Sequence, residues 1–221
     1  MRTVVFDLDG TLADTVADLI ASANACFRAL GHGDRLHPDA DGAVAVRGAR
    51  AMLRLGFERV GGAWSEADVN GQYPLLLDYY GQAVAVHSRL YPGAADALRC
   101  LKAEGFALAI CTNKPEGLAR ALLTDLKVLD LFDALIGADT LPVRKPHADP
   151  YREAVRRAGG EVERSFLVGD TETDLLTAAA AHVPCLLVTF GPAGSTVEDL
   201  RPDHLLHDYA DLPDLARRLL G

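Results

Sequence analysis

Apolar and polar positions along the chain follow two rhythms. Residues 3–9, TVVFDLD, begin with a continuous apolar run rich in β-branched residues, the pattern of a strand buried on both faces. Residues 14–86 lack any such run. Ala- and Leu-rich helical periodicity fills them instead, in DLIASANACFRAL, RAMLRLGFERV and VNGQYPLLLDYYGQAV. Beyond Pro92 the rhythm alternates. DALRCLKAEG, GLARALLTDL, DPYREAVRRAG, TDLLTAAAAHV and DLARRLL read as helices. FALAICT, DALIGAD, SFLVGD, PCLLVTF and the short PDHLLHD read as strands. Strands alternating with helices of about ten residues mean βαβ units and a parallel sheet. The first strand belongs to that sheet by composition. The expected organisation is therefore an α/β domain of residues 1–13 and 87–221, with an all-helical insertion at 14–86 after the first strand.

Composition narrows the setting. A chain of 221 residues, 49% hydrophobic, is long enough to bury a substantial core. No apolar run reaches membrane-spanning length, and Asp7 and Asp9 interrupt the start where a signal peptide would be apolar. These features predict a cytoplasmic protein without a membrane partner. Cys26, Cys100, Cys111 and Cys185 are widely spaced, form no C-x-x-C pair, and are expected to be buried free thiols. A formal net charge of −9 argues against nucleic acid as a partner, because phosphate backbones need a basic surface. A small anion responds to its local site instead. Nothing in the sequence marks an oligomer interface.

The candidate chemistry sits at predicted strand ends. Side chains alternate along a strand, so Asp7 and Asp9 are expected on one face at the carboxyl end, where open α/β sheets bind ligands. SFLVGD delivers Asp170 in the same way, and Asp174 follows in TETD, four residues on and so on the same side of a starting helix. Each piece has a plainer reading: TETD fits a helix capping box, and Asp-Gly a turn. Neither explains two aspartate pairs at two strand ends of one sheet. At an effective dielectric of about 20, two unit charges ~4 Å apart repel by about 4 kcal/mol. Carboxylates gathered there require protons or a cation. Mg²⁺ suits them, since it takes oxygen ligands, uses few carboxylates and bridges to phosphate, whereas these segments hold no His or Cys for zinc. Two more strand ends offer anion-binding groups: Thr112, Asn113 and Lys114 after FALAI, and Lys145 downstream of LIGAD. The chain has only four lysines, and two of them follow strand ends.

The order D-x-D-G-T, T-N-K, an isolated K-P and G-D-x-x-x-D resembles the four motifs of the haloacid dehalogenase superfamily of phosphohydrolases, over the whole chain. Residues 78–115 and 135–150 resemble phosphoglycolate phosphatases. The resemblance implies a Rossmann-like parallel sheet flanked by helices, with a small helical cap that closes over the site. It implies an Mg²⁺-dependent phosphatase acting on a small phosphorylated metabolite, 2-phosphoglycolate, through an aspartyl-phosphate. Asp7 would be the nucleophile and Asp9 the general acid and base, with a proton retained through the neighbouring acids. Asp7, the carbonyl of Asp9, and Asp170 would hold Mg²⁺, with Asp174 as ligand or just behind it. Thr112, Asn113 and Lys145 would bind the phosphoryl group. AVRGAR carries Arg47 where a glycine is expected, and Arg47 or Arg50 would meet a substrate carboxylate.

The residues also weigh the alternatives. Asp9 argues against a dehalogenase. The absence of lysine between residues 14 and 86 argues against a phosphonatase and weakens a phosphosugar mutase. Sugar phosphates and pyrophosphate remain open as substrates. A phospho-accepting signalling receiver shares the acidic pocket but lacks the insertion and the second acid of D-x-D. GPAGST near residue 191 reads as a loop, and His204 and His207 as surface residues.

Overall fold

The first strand, β1 (Thr3–Phe6), has no exposed residue, because it lies in the middle of a six-stranded parallel sheet. The computed structural model describes all residues from Met1 to Gly221. The order of the elements is β1, β2 (Ala13–Asp14), α1 (Val16–Ala29), α2 (Pro38–Ala45), α3 (Ala49–Val60), α4 (Glu66–Gln82), β3 (Arg89–Leu90), α5 (Ala94–Ala103), β4 (Ala107–Cys111), α6 (Glu116–Asp125), β5 (Ala134–Ile136), α7 (Ala148–Arg157), β6 (Ser165–Gly169), α8 (Glu172–Ala181), β7 (Cys185–Val188), β8 (His204–Leu206) and α9 (Leu212–Leu220). Short 3-10 turns join several of them. The chain divides into two units, residues 1–14 with 90–221 and residues 15–89.

In the first unit the strand order is β5-β4-β1-β6-β7-β8. The chain builds outward from β1 through β4 and β5, then returns to the other side of β1 with β6. The strand order thus reverses between β1 and β6, and such a switch point opens a crevice at the carboxyl ends of the strands. Register aligns those ends: Phe6 pairs with Ile110 on one side and with Val168 on the other. The residues just beyond them are therefore brought level. Val5, Ala109, Cys111 and Leu167 pack one face of the sheet against Tyr151, Ala154 and Val155 of α7 and Ala178 and Ala181 of α8. Burial on both faces explains why these strands read as continuous apolar runs rather than alternating ones.

Two expectations change here. The strand read over residues 3–9 ends at Phe6, so alternation does not place Asp9; a turn does. Cys100 is exposed, not buried. In α5 the inward stripe is Ala94, Ala97, Leu98 and Leu101, and Cys100 lies off it, with its thiol toward Glu104 Oε1 at 3.4 Å. Its apolar neighbours in sequence occupy a different side of the helix. Cys26, Cys111 and Cys185 are buried free thiols.

In the second unit α1 packs against α2, α3 and α4. Gly56 of α3 permits the closest approach: a Cβ there would lie 2.1 Å from the ring of Phe27, which also meets Phe57 edge-on. The helix α2 has no counterpart in the sequence reading. It buries only Asp41 and Ala45, so it carries almost no apolar stripe. It is held instead by Asp41, whose two oxygens take both terminal nitrogens of Arg59 at 2.6 Å. That guanidinium and the His37 backbone N–H keep the Asp41 carboxyl below its ordinary pKa.

A second carboxylate closes this unit. Asp18, in the first turn of α1, is 3% exposed. It accepts bonds from the backbone N–H groups of His87 and Ser88 and from the Ser88 hydroxyl at 2.7 Å. Replacement by alanine would strand these donors. We expect Asp18→Ala to lose about 2–4 kcal/mol of stability in urea unfolding, with Asp18→Asn intermediate. A change below about 0.5 kcal/mol would show that the clasp contributes nothing beyond an average surface position.

Candidate active site

The site grows out of the ladder that ends β1. Asp7 N–H donates to Val168 O at 2.9 Å, so Asp7 still follows the sheet. The chain then folds back sharply: the N–H groups of Thr11, Leu12 and Ala13 all point to Leu8 O, and Gly10 N–H donates to Ala13 O. Gly10 has φ 81°, a conformation that costs a residue with a Cβ about 1–2 kcal/mol. The Asp-Gly pair is therefore a turn, and that turn carries Asp9. On the adjacent strand, Asp170 and Thr171 follow β6 directly. Thr171 and Asp174 form a true capping box at the start of α8. Gly169 is required by the same packing, since a Cβ there would fall 2.3 Å from Asp174 Cβ and Cγ.

Three of the four acids converge. Asp7, Asp170 and Asp174 each present a carboxylate oxygen within 4.8 Å of the others. Lys145 is the cation placed against them. Its Nζ donates to Asp174 Oδ1 at 2.6 Å and stands 3.1 Å from Asp7 Oδ1, an ion-pair contact without hydrogen-bond geometry. Asp174 is fully occupied: its Oδ2 accepts from Asp170 N, Thr171 N and the Thr171 hydroxyl. Asp170 Oδ1 accepts the Thr11 hydroxyl at 2.8 Å. What remains is one oxygen on each of two aspartates: Asp7 Oδ1 and Asp170 Oδ2 are buried with no hydrogen-bond partner.

Electrostatics follow from that arrangement. Burial, opposed by Lys145 and reinforced by Asp174 and Asp9, raises the Asp7 pKa from 3.8 to about 6. Burial first, then Asp174 and Asp7, push Asp170 well above the ordinary carboxylate range. For Lys145, burial pulls the pKa down, yet Asp174 and Asp7 outweigh it and hold the ammonium charged. Three carboxylates face a single cation, so the buried cluster is two positive charges short when all are ionised. A divalent ion with hard oxygen ligands matches both that charge and the two unsatisfied oxygens.

The fourth acid stands apart. Asp9 pairs with Lys114, whose Nζ donates to both carboxylate oxygens at 2.8 and 2.9 Å. The sequence reading surrounded Asp9 with like charges; the structure adds a nearly buried ammonium. Lys114 was visible as one of few lysines after a strand, but its partner lies 105 residues away. Thr112 follows β4 and is 4% exposed, with its hydroxyl accepting from Lys114 N. Asn113 donates its amide to Lys145 O at 3.0 Å and so anchors the loop that presents the lysine. Thr11 and Gly191 are further residues that the sequence reading did not single out. A Cβ at Gly191 would lie 2.7 Å from Gly10 O and 3.3 Å from Asp170 Cβ, so the loop read in GPAGST packs directly behind the acids. Arg47 belongs to the helical unit and is exposed after α2. A groove of about 810 Å³ on the α/β unit, bordered by Val143, Arg144, His147 and Arg152, contains none of the carboxylates.

The chain is similar to known proteins along nearly its whole length. Residues 4–188 match the family model described as haloacid dehalogenase-like hydrolase. The chain is 39% identical over 218 residues to a phosphoglycolate phosphatase of Agrobacterium fabrum, spanning 98% of this chain and 93% of that protein. It is 36% identical over 221 residues to one from Caulobacter vibrioides, spanning 99% and 92%. Among solved structures, a predicted phosphoglycolate phosphatase from Haemophilus somnus superposes with a TM-score of 0.86 at 26% identity, covering 97% of each chain.

The raised Asp7 pKa has a thermodynamic consequence. Between its ordinary value of 3.8 and about 6, the folded protein binds the Asp7 proton more tightly than the unfolded chain does. Stability from this group is thus present at low pH and is lost as pH rises toward 6 and beyond. In chelator, the stability of the wild-type protein relative to Asp7→Asn is expected to fall by up to about 3 kcal/mol from pH 4 to pH 7. Urea unfolding across that range measures it. A difference that is flat or rises with pH contradicts the buried setting of Asp7.

Proposed function

We propose, for a chain that belongs to the haloacid dehalogenase-like hydrolases and is a phosphoric monoester hydrolase, that its substrate is 2-phosphoglycolate and that it works with Mg²⁺ through an aspartyl-phosphate. The observation that supports the cation is the pair of unsatisfied buried oxygens, Asp7 Oδ1 and Asp170 Oδ2, in a cluster short of positive charge, and the choice of substrate rests on the likeness to phosphoglycolate phosphatases. Asp7, Asp170 and the Asp9 carbonyl would hold the cation. Asp174 fixes both Asp170 and Lys145 from behind, through the bonds described above. When bound, Mg²⁺ neutralises the phosphoryl oxygens and helps align them for in-line attack.

Asp7 then acts as nucleophile. Its carboxylate oxygen forms a bond to phosphorus as the bond to the ester oxygen breaks, and Asp9 delivers a proton to the departing alkoxide. In the second step water takes the phosphoryl group from Asp7, and Asp9 accepts the proton that the water loses. Lys145 and Thr112 bind the phosphoryl oxygens throughout, one as a fixed positive charge and one as a short donor. Because Asp9 is a carboxylate paired with Lys114, acting as an acid requires it to leave that pair and take up a proton from solvent before the first displacement. Arg47 would bind the carboxylate of the substrate as a bidentate partner.

Asp7→Asn is expected to reduce Mg²⁺-dependent phosphate release by about three orders of magnitude or more while the protein stays folded. Full activity would remove Asp7 from the mechanism. In a phosphate-release screen over small phosphomonoesters, 2-phosphoglycolate should rank among the best, and a poor rank would overturn the substrate assignment. Arg47→Ala should raise KM for 2-phosphoglycolate about tenfold, with a smaller effect on esters lacking a carboxylate. Equal effects on both would dismiss Arg47 as the carboxylate reader.

A further inference from the structure

Asp170 is aimed by more than its immediate neighbours. Its Oδ1 accepts the Thr11 hydroxyl at 2.8 Å, which leaves Oδ2 as the oxygen without a partner. Thr11 is fully buried in the turn after β1, and its own carbonyl needs a donor. That donor comes from the far end of the chain. The phenol of Tyr209 donates to Thr11 O at 2.9 Å, across 198 residues.

Tyr209 is well placed to hold that bond rigid. Its side chain is completely buried, in the turn Tyr209–Asp211 that precedes α9. Asp208 caps this turn by accepting from Ala210 N at 2.8 Å. The Tyr209 ring lies 5.3 Å from Phe190, and Phe190 lies 5.1 Å from Tyr91. Tyr91 in turn donates its N–H to Leu12 O at 3.0 Å, the residue after Thr11. Gly93 completes the seat: a Cβ there would stand 3.3 Å from Tyr209 Cβ. Two adjacent carbonyls of the turn, those of Thr11 and Leu12, are therefore pinned by one aromatic cluster.

We propose that Tyr209 is a positioning residue for the divalent cation: its hydroxyl fixes the Thr11 carbonyl, the Thr11 hydroxyl consequently holds Asp170 Oδ1, and Asp170 Oδ2 is left turned toward the ion. The inference rests on the reading of Asp170 as a cation ligand. Partners that orient a metal ligand typically contribute 10–100-fold to affinity. Tyr209 acts one bond further out, so its share is smaller.

The test uses Mn²⁺ as a spectroscopic stand-in for Mg²⁺, titrated into the full-length, chelator-stripped protein and followed by electron paramagnetic resonance. Tyr209→Phe removes one hydroxyl and keeps the ring. Its Mn²⁺ dissociation constant should rise about 3–10-fold, and that of Thr11→Val about tenfold or more. The double variant should bind no more weakly than Thr11→Val alone, because Tyr209 works through the Thr11 hydroxyl. For a variant too unstable to titrate, the Mn²⁺-dependence of its urea midpoint gives the same constant. A purely structural Tyr209 would lower stability and leave Mn²⁺ affinity unchanged, and that result overturns the proposal, as does full additivity in the double variant. Asp170→Asn separates the two levels. If it binds Mn²⁺ like the wild type, the cation reading itself fails. If it loses binding while Tyr209→Phe does not, only the role given to Tyr209 fails.

Discussion

Everything at the sheet's carboxyl edge is organised by an imbalance of charge. Asp7, Asp170 and Asp174 are brought together in a buried space where Lys145 supplies the one compensating ammonium. Water cannot screen such a group, so each ionised carboxylate raises the cost of ionising the next. Burial first, and then that repulsion, raise the pKa of Asp7 to about 6 and push that of Asp170 well above the ordinary carboxylate range. A fold tolerates an arrangement of this kind when a ligand relieves it. The two oxygens left unsatisfied indicate where relief is needed.

The scaffold enforces the imbalance rather than merely permitting it. Parallel register sets the ends of β1, β4 and β6 level, and the reversal of strand order at β1 opens space beside Asp7 and Asp170. Glycine at 169 lets Asp174 sit flush against the strand end, and glycine at 191 lets a loop close behind Asp170. The capping box of α8 is part of the same machinery. The bonds that start the helix are also the bonds that immobilise Asp174, leaving its other oxygen for Lys145. A local stabilising device and a piece of candidate catalytic apparatus are here one side chain.

The division of labour among the cations is equally specific. Lys145 answers the inner cluster, and Lys114 pairs with Asp9. Asn113 ties the backbone of Lys145 to the loop that carries Lys114. A pair of lysines on neighbouring strand-end loops thus serves two carboxylate groups with different assignments in the proposed chemistry. The remote residues Tyr209 and Phe190 contribute by stiffening the turn on which Asp9 and Thr11 ride.

Much of this was legible in the order of residues. Continuous apolar runs alternating with helical periods specify a parallel α/β sheet, because burial on both faces leaves no polar alternation, and hydrophobic periodicity depends only on neighbours in sequence. Aspartates placed just after such runs mark the sheet edge at which Asp7 and Asp170 emerge. Lacking an apolar stripe, α2 escaped that logic, and Cys100 misled it because proximity in sequence to Leu98 and Leu101 is not proximity on a helix face. The pairing of Asp9 with Lys114, the bond from Tyr209 to Thr11 and the seat of Gly191 were decided by the tertiary structure alone. Each joins segments about 100 to 200 residues apart, and no local pattern encodes which distant donor will reach a given oxygen once the sheet has closed.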